Sequence, residues 1–194
     1  TNGVTWTNVP AAVTTLGGGN TDRFSWTTAN NRFFFANNGV DYVQELDFSV
    51  PNYKRLGNAP KYKYITNFSN RIIGANLVAG SPNPVQIGWS GDLNLAEWDP
   101  LVDISAGFTP LIESQSDASD DITGLFSYST RLVVMRERSI WAVVKMPSAT
   151  APFYFFVAIP NVGCDSPWSA VQIPDGLIWY DNRSKSIFML NANS

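Results

Sequence analysis

The side chains that most often carry out chemistry are scarce in this sequence. It has no histidine and one cysteine, Cys164. That excludes metal sites built on imidazole, serine or cysteine triads that rely on histidine, and zinc clusters of several thiolates. With no neighbouring base to activate it, Cys164 reads as a small buried hydrophobe rather than a reactive thiol. Neither GxGxxG nor GxxxxGK[ST] is present, and Gly17-Gly18-Gly19 sits in a polar stretch with no helical pattern behind it, so phosphate cradling has no basis. Carboxylates remain. The densest group is Glu113, Asp117, Asp120 and Asp121 in "ESQSDASDDIT". Two such acids could hydrolyse a glycoside, and several could hold calcium. Their spacing fits no EF-hand, and an acidic, Ser-rich stretch before a strand reads as a solvated loop. The expectation is no catalytic residue, no metal and no cofactor. Asn67 and Asn182 begin glycosylation sequons, but no secretion signal accompanies them.

Aromatic rings offer binding rather than catalysis. Of the seven tryptophans, Trp26, Trp141 and Trp179 lie inside apolar strand-like runs, where packing between layers is expected. Trp89 and Trp98 instead bracket "SGDLNLAE", and with Asp92 and Glu97 they mark a candidate interaction loop. A second concentration of charge, Arg136-Glu137-Arg138, interrupts the apolar stretch 122–144 and reads as a solvent-facing hairpin tip.

Composition sets the elements that must position these residues. A chain of 194 residues with 44% hydrophobic, 13% aromatic and only 15% charged residues can bury a substantial core. Abundant Thr, Ser and Asn with scattered Gly and Pro favour strands and turns over helices. A net charge of −3 lacks the electrostatic footprint of a nucleic-acid binder. No apolar run is long enough for a spanning helix, and the first residues lack the regions of a secretion signal. Because the chain starts at Thr1, it is expected to be a processed product or an excised part of something longer.

Internal repetition organises the rest. Aligned on an arginine, four segments share one grammar: 24–46, 63–89, 123–144 and 168–190. The anchors are Arg32, Arg71 and Arg131, with Gly176 in the fourth copy. Six positions earlier stand Trp26, Ile65, Leu125 and Ala170, and three positions earlier Ala29, Phe68, Tyr128 and Ile173. Bulky apolar residues follow each anchor, then a polar turn and a second apolar strand. Asn38-Gly39 suits a tight hairpin. The anchors are expected to open inner strands and to bind carbonyls there; binding an anionic ligand is the functional alternative.

This grammar predicts an all-β, β-propeller-like domain over 1–194 with about four antiparallel blade units, approximately 23–50, 62–100, 120–160 and 167–194. One more strand is expected at Val4 to Val9. Four units are few for closing a propeller, so the chain is expected to form part of a larger one or of a ring.

Several stretches, laid end to end, cover nearly the whole chain: "RFFFANNGVDYVQ", "APKYKYITNFSNRIIGANL", "VQIGWSGDLNLAEWDP", "SDDITGLFSYSTRLVVMRERSIWAV" and "NVGCDSPWSAVQIPDGLIWYDNRSKSIFML". In these the chain resembles the β-propeller proteins of bacteriophage tails, especially nozzle or tail-tube proteins of short-tailed phages. None of the matching stretches is a catalytic signature. The resemblance implies a non-enzymatic structural virion component in a ring of copies, six-fold by that likeness. Such a ring would join other tail proteins such as an adaptor, pass genomic DNA without binding it specifically, and insert in no membrane through this chain. Two alternatives stand beside it: a carbohydrate-binding propeller that recognises a host surface, and a carboxylate-dependent glycosidase.

Overall fold

The structure is a computed structural model that describes residues 10, 16–113, 119–128 and 130–191. The expected strand at Val4 to Val9 lies outside the described residues, as does Asp117.

The regular secondary structure of the described residues is almost all strand, arranged as four consecutive antiparallel meanders. Blade 1 contains β1 (Phe24–Ala29), β2 (Arg32–Asn37), β3 (Gln44–Asp47) and β4 (Val50–Arg55). Blade 2 contains β5 (Tyr62–Phe68), β6 (Arg71–Leu77), β7 (Asn83–Trp89) and β8 (Gly107–Pro110). Blade 3 contains β9 (Ile122–Tyr128), β10 (Arg131–Arg136), β11 (Ser139–Lys145) and β12 (Phe153–Pro160). Blade 4 contains β13 (Val171–Ile173), β14 (Gly176–Asp181) and β15 (Ser186–Asn191), preceded by a single 3₁₀ turn, Pro167–Ser169. Each strand pairs with its sequence neighbour, so every blade is built from local hairpins. The β-propeller-like expectation holds, with blade 1 running on to Arg55 and blade 2 to Pro110.

The repeat grammar has a plain cause. Ala29 pairs with Arg32, Phe68 with Arg71, Tyr128 with Arg131 and Ile173 with Gly176. The anchor and the residue three before it are therefore the two ends of a two-residue hairpin turn. Asn30 and Asn31 have φ of 49° and 58°, and Ser69 and Asn70 have 54° and 61°. Two successive positive φ values give the mirror-image turn whose twist matches paired strands, and Asn tolerates that region best after Gly.

Strand alternation then gives each blade two faces, one toward the preceding blade and one toward the following blade. Phe34, Ala36 and Val43 of blade 1 pack on Tyr62, Ile65 and Ile72 of blade 2. Ile73, Ala75, Ile87 and Trp89 of blade 2 meet Leu132, Val134, Trp141 and Phe153 of blade 3. Val133, Met135 and Ile140 of blade 3 meet Leu177 and Trp179 of blade 4. The consecutive buried residues of β6 and β10 follow from this arrangement, because a central strand is covered on both sides.

Two glycines allow close approach inside blade 2. Tyr62, buried to the point that its hydroxyl pKa is pushed up to about 12, lies across Gly74 and Gly88. A Cβ at Gly74 would stand 2.2 Å from the Tyr62 ring.

Candidate functional site

The first strands of the blades, not the anchor-led second strands, lie innermost. A cavity of about 580 Å³ is lined by β1, β5, β9 and the entry to blade 4, and it marks the central channel. The anchors open the second strand of each blade, an inner strand of its sheet as expected, next to the innermost one. The channel wall carries Phe24, Trp26, Tyr64, Phe126 and Trp168 among Ser, Thr, Asn and Gln, with no charged side chain among the described lining residues. Blade 1 and blade 4 approach at its rim, where the Arg23 guanidinium lies 5.5 Å from the Trp168 ring centre.

The repeated arginine does not make a repeated contact. Arg71 is buried and behaves as expected, its Nη1 donating to the carbonyls of Ser90 at 3.2 Å and Ser105 at 3.1 Å. Arg32 instead pairs across its own sheet with Glu45 at 3.1 Å and Asp47 at 3.6 Å. Arg131 is exposed. Arg32 and Arg71 share neither a carbonyl contact nor an anion site, because blades 1 and 2 offer this position different neighbours.

The position that does recur was missed. Five residues after each anchor stand Asn37, Asn76, Arg136 and Asp181, all polar and all buried. Asn76 donates to the Ile122 carbonyl at 2.8 Å, joining the end of β6 to the start of the next blade. Asn37 binds Asp41 at 2.9 Å and the Gly17 carbonyl at 3.3 Å. Asp181 accepts from the backbone of Ser184 at 3.1 Å. The signal was available: after an apolar run in every copy, one position is always polar.

Arg136 corrects the solvent-facing reading of the charged knot. Its side chain has 0% exposure. Nε donates to the Asp120 carbonyl at 2.6 Å, Nη1 to the Leu111 carbonyl at 2.9 Å, and the Asp120 carboxylate lies 3.5 Å away. Asp120 also accepts from Arg138 N at 2.7 Å and Ser139 Oγ at 2.6 Å. The other side of the tip is covered by Gly163 and Cys164. A Cβ at Gly163 would stand 2.2 Å from the Glu137 carbonyl oxygen, and Cys164 N donates to the Arg136 carbonyl at 2.8 Å. Only Glu137 and Arg138 reach the surface, beside Asp165 and Arg183, and partial burial raises the Glu137 pKa. Asp120 therefore leaves the solvated acidic loop and becomes half of a buried ion pair. Cys164 is buried, as expected, and burial raises its thiol pKa.

The loop from Trp89 to Trp98 presents a different surface from the one its sequence suggests. Both rings turn inward: Trp89 Nε1 donates to the Ser105 carbonyl at 3.1 Å, and Trp98 Nε1 to the Leu95 carbonyl at 3.2 Å. The Glu97 carboxylate holds the loop by accepting from Asp99 N at 2.9 Å and from Trp98 N at 3.0 Å. The bond from Asp99 N, then that from the Asn58 side chain, lowers its pKa. Asp92 lies 3.7 Å from Arg71. What faces solvent here is Leu93, Leu101, Val102 and Ile104. Asn67 lies in a channel strand with its amide bound to the Thr28 carbonyl, and the Asn182 amide binds Asp165.

The largest departure from expectation concerns the outer blades. Trp26, expected between blades, is 64% exposed. It belongs to a ring-rich face of blade 1 in which Phe24, Phe33, Phe35 and Tyr53 touch at centroid distances of 5.8–5.9 Å. The far face of blade 4 carries Val171, Ile178, Tyr180, Ile187 and Met189, with Ile187 74% exposed.

No family model matches the chain. No curated protein matches it either. Among solved structures, a computationally designed protein, Ika4, is similar at 9% identity and a TM-score of 0.54, covering 89% of this chain and 93% of its own. YCF48 from Cyanidioschyzon merolae, at 9% identity and a TM-score of 0.32, covers 87% of this chain and 72% of its own. The likeness to Ika4 is one of fold.

Proposed function

We propose that this chain is a structural subunit of a bacteriophage tail, of the nozzle or tail-tube type. It stands in a ring of copies around the DNA path, six-fold by the resemblance, and meets an adaptor-like tail protein. The supporting observation is the pair of uncovered apolar faces on blades 1 and 4, which suit assembly rather than catalysis. The channel of one copy, about 580 Å³, is the size of a small-molecule pocket. Genomic DNA would accordingly pass through the hole of the ring and not through the propeller itself. An acidic chain of net charge −3 gives that path little hold on phosphates.

Quantitative mass spectrometry of purified particles from a phage encoding this sequence tests the reading. A fixed number of copies per particle, in a ring-like ratio to other tail proteins, is expected. Absence from the particle would refute it.

The uncharged channel favours a second reading, a site for a neutral saccharide. Rings at Trp26 and Trp168 can stack on sugar faces, and Asn67 and Gln172 can bind hydroxyls. Glycan-array binding lost on Trp168→Ala would support it; no binding to any neutral glycan would end it.

A further inference from the structure

We propose that copies of this chain join head to tail by extending the propeller itself, through a contact separate from the one that would build the tail ring. The bare far face of blade 4 packs on the bare ring-rich face of blade 1 in the next copy. The occupant of each face is thus a second copy, and the contact continues one the chain already makes three times.

Each internal seam sets the far face of one blade against the near face of its successor. In each, an aromatic ring meets branched or flexible aliphatic side chains: Phe34 with Ile65 and Ile72, Trp141 with Ile73 and Ile87, Trp179 with Val133 and Met135. The two ends of the array are one face of each kind. Blade 4 ends on a far face of aliphatic side chains, with Val171 opposite Ile178, Ile178 opposite Met189, and Ile187 opposite Tyr180. Blade 1 begins on a near face of rings, with Trp26 opposite Phe35 at its innermost strand. No charged side chain stands among these named rings and aliphatic residues; Arg55, on the same blade 1 face opposite Gln44, lies at its outer strand over the Tyr42 ring, away from the innermost strands where the contact is placed.

Among the described residues nothing covers either face within one copy, although Arg23 and Trp168 meet at the channel rim. Apolar sheet faces left in water favour association, and a contact between unlike faces either closes into a ring, two copies giving eight blades, or runs on as a filament. The partner surface is fixed by this logic: innermost strand on innermost strand, so Trp26 of one copy meets the neighbourhood of Val171 in the next.

Sedimentation velocity on the full chain, alone and in mixtures, tests the inference. Wild type should assemble with rising concentration, whereas Trp26→Asp and Ile187→Asp should each sediment as a monomer with an unchanged unfolding midpoint. An equimolar mixture of the two variants retains one intact pair of faces and should yield a dimer that grows no further. A wild-type monomer throughout, or assembly that both variants leave intact, would overturn head-to-tail packing. In the second case the ring reading survives on another surface. Conversely, dimers from the mixture together with absence from purified tails would uphold the contact and refute the tail assignment. Should Trp26→Asp unfold, Thr28→Asp on the same face of β1 replaces it, with the same expected outcomes.

Discussion

The seam between blades 2 and 3 and the near face of blade 1 are made of the same kinds of residue. In the seam, Trp141 and Trp89 are buried against Ile73, Leu132 and Phe153. On blade 1, Trp26 and Phe24 stand in water over Phe33 and Phe35. Alternation along the strands is the same in both places, and the difference is only whether another blade lies against the face. A strand pattern therefore specifies a face to be covered without specifying what covers it.

The comparison breaks most sharply at its tryptophans. Trp141→Ala should destabilise the isolated chain by ~3–5 kcal/mol, through lost burial and the cavity left behind. Trp26→Ala should change it by no more than ~0.5 kcal/mol, because the ring already faces solvent. Chemical denaturation of the two variants under conditions that keep the chain monomeric checks both values. Equal losses would show that the blade 1 face is covered within the copy.

Next in size is the buried pair. Arg136→Met should cost about 3 kcal/mol, the low end for breaking such a pair, because Asp120 keeps its bonds from Arg138 N and Ser139 Oγ. The double variant Arg136→Met with Asp120→Asn should recover part of the loss in the same unfolding assay. If the single change is neutral, the knot is the surface turn its sequence suggests.

Much of the fold was legible because its information is local. Two-residue turns require residues that accept positive φ, and Asn30-Asn31 and Ser69-Asn70 announce them before each anchor. The anchors proved to be turn partners, whose side chains are free to differ, as Arg32, Arg71 and Gly176 show. The burial of Arg136 was illegible because its cover comes from Leu111, Asp120 and Cys164, none of them its sequence neighbours. The inward turn of Trp89 and Trp98 was hidden for a related reason, since their acceptors lie within the fold of the loop itself.

Smaller effects sharpen the picture. Asn76→Ala removes the donor to the buried Ile122 carbonyl and should cost ~1–3 kcal/mol, whereas Arg32→Ala, at a half-exposed anchor whose partner Glu45 keeps Lys54, should cost no more than ~1 kcal/mol. Thermal or denaturant unfolding of the pair decides whether the fifth position after the anchor or the anchor itself maintains the blades.

The smallest effect is in the loop after β7. The Glu97 carboxyl has a lowered pKa in the folded chain, so its contribution is present above the ordinary carboxyl range and is lost as pH falls through the folded value. Glu97→Gln should flatten that part of the stability profile between pH 5 and the acid limb and leave the neutral-pH assembly state unchanged. An unaltered profile would mean that the loop does not depend on this carboxylate.

The central claim, that the bare ends of the four-blade array are halves of one contact, is tested most directly by crosslinking between separately made chains. Chains carrying W26C are mixed with chains carrying V171C under mild oxidation, and Cys164, buried in the blade 3–4 core, takes no part. The account predicts a mixed disulfide between the two kinds of chain, formed well above the level seen when W26C is mixed with a cysteine at exposed Leu93. Equal yields from the two mixtures, or none from either while the wild-type chain assembles, would contradict it.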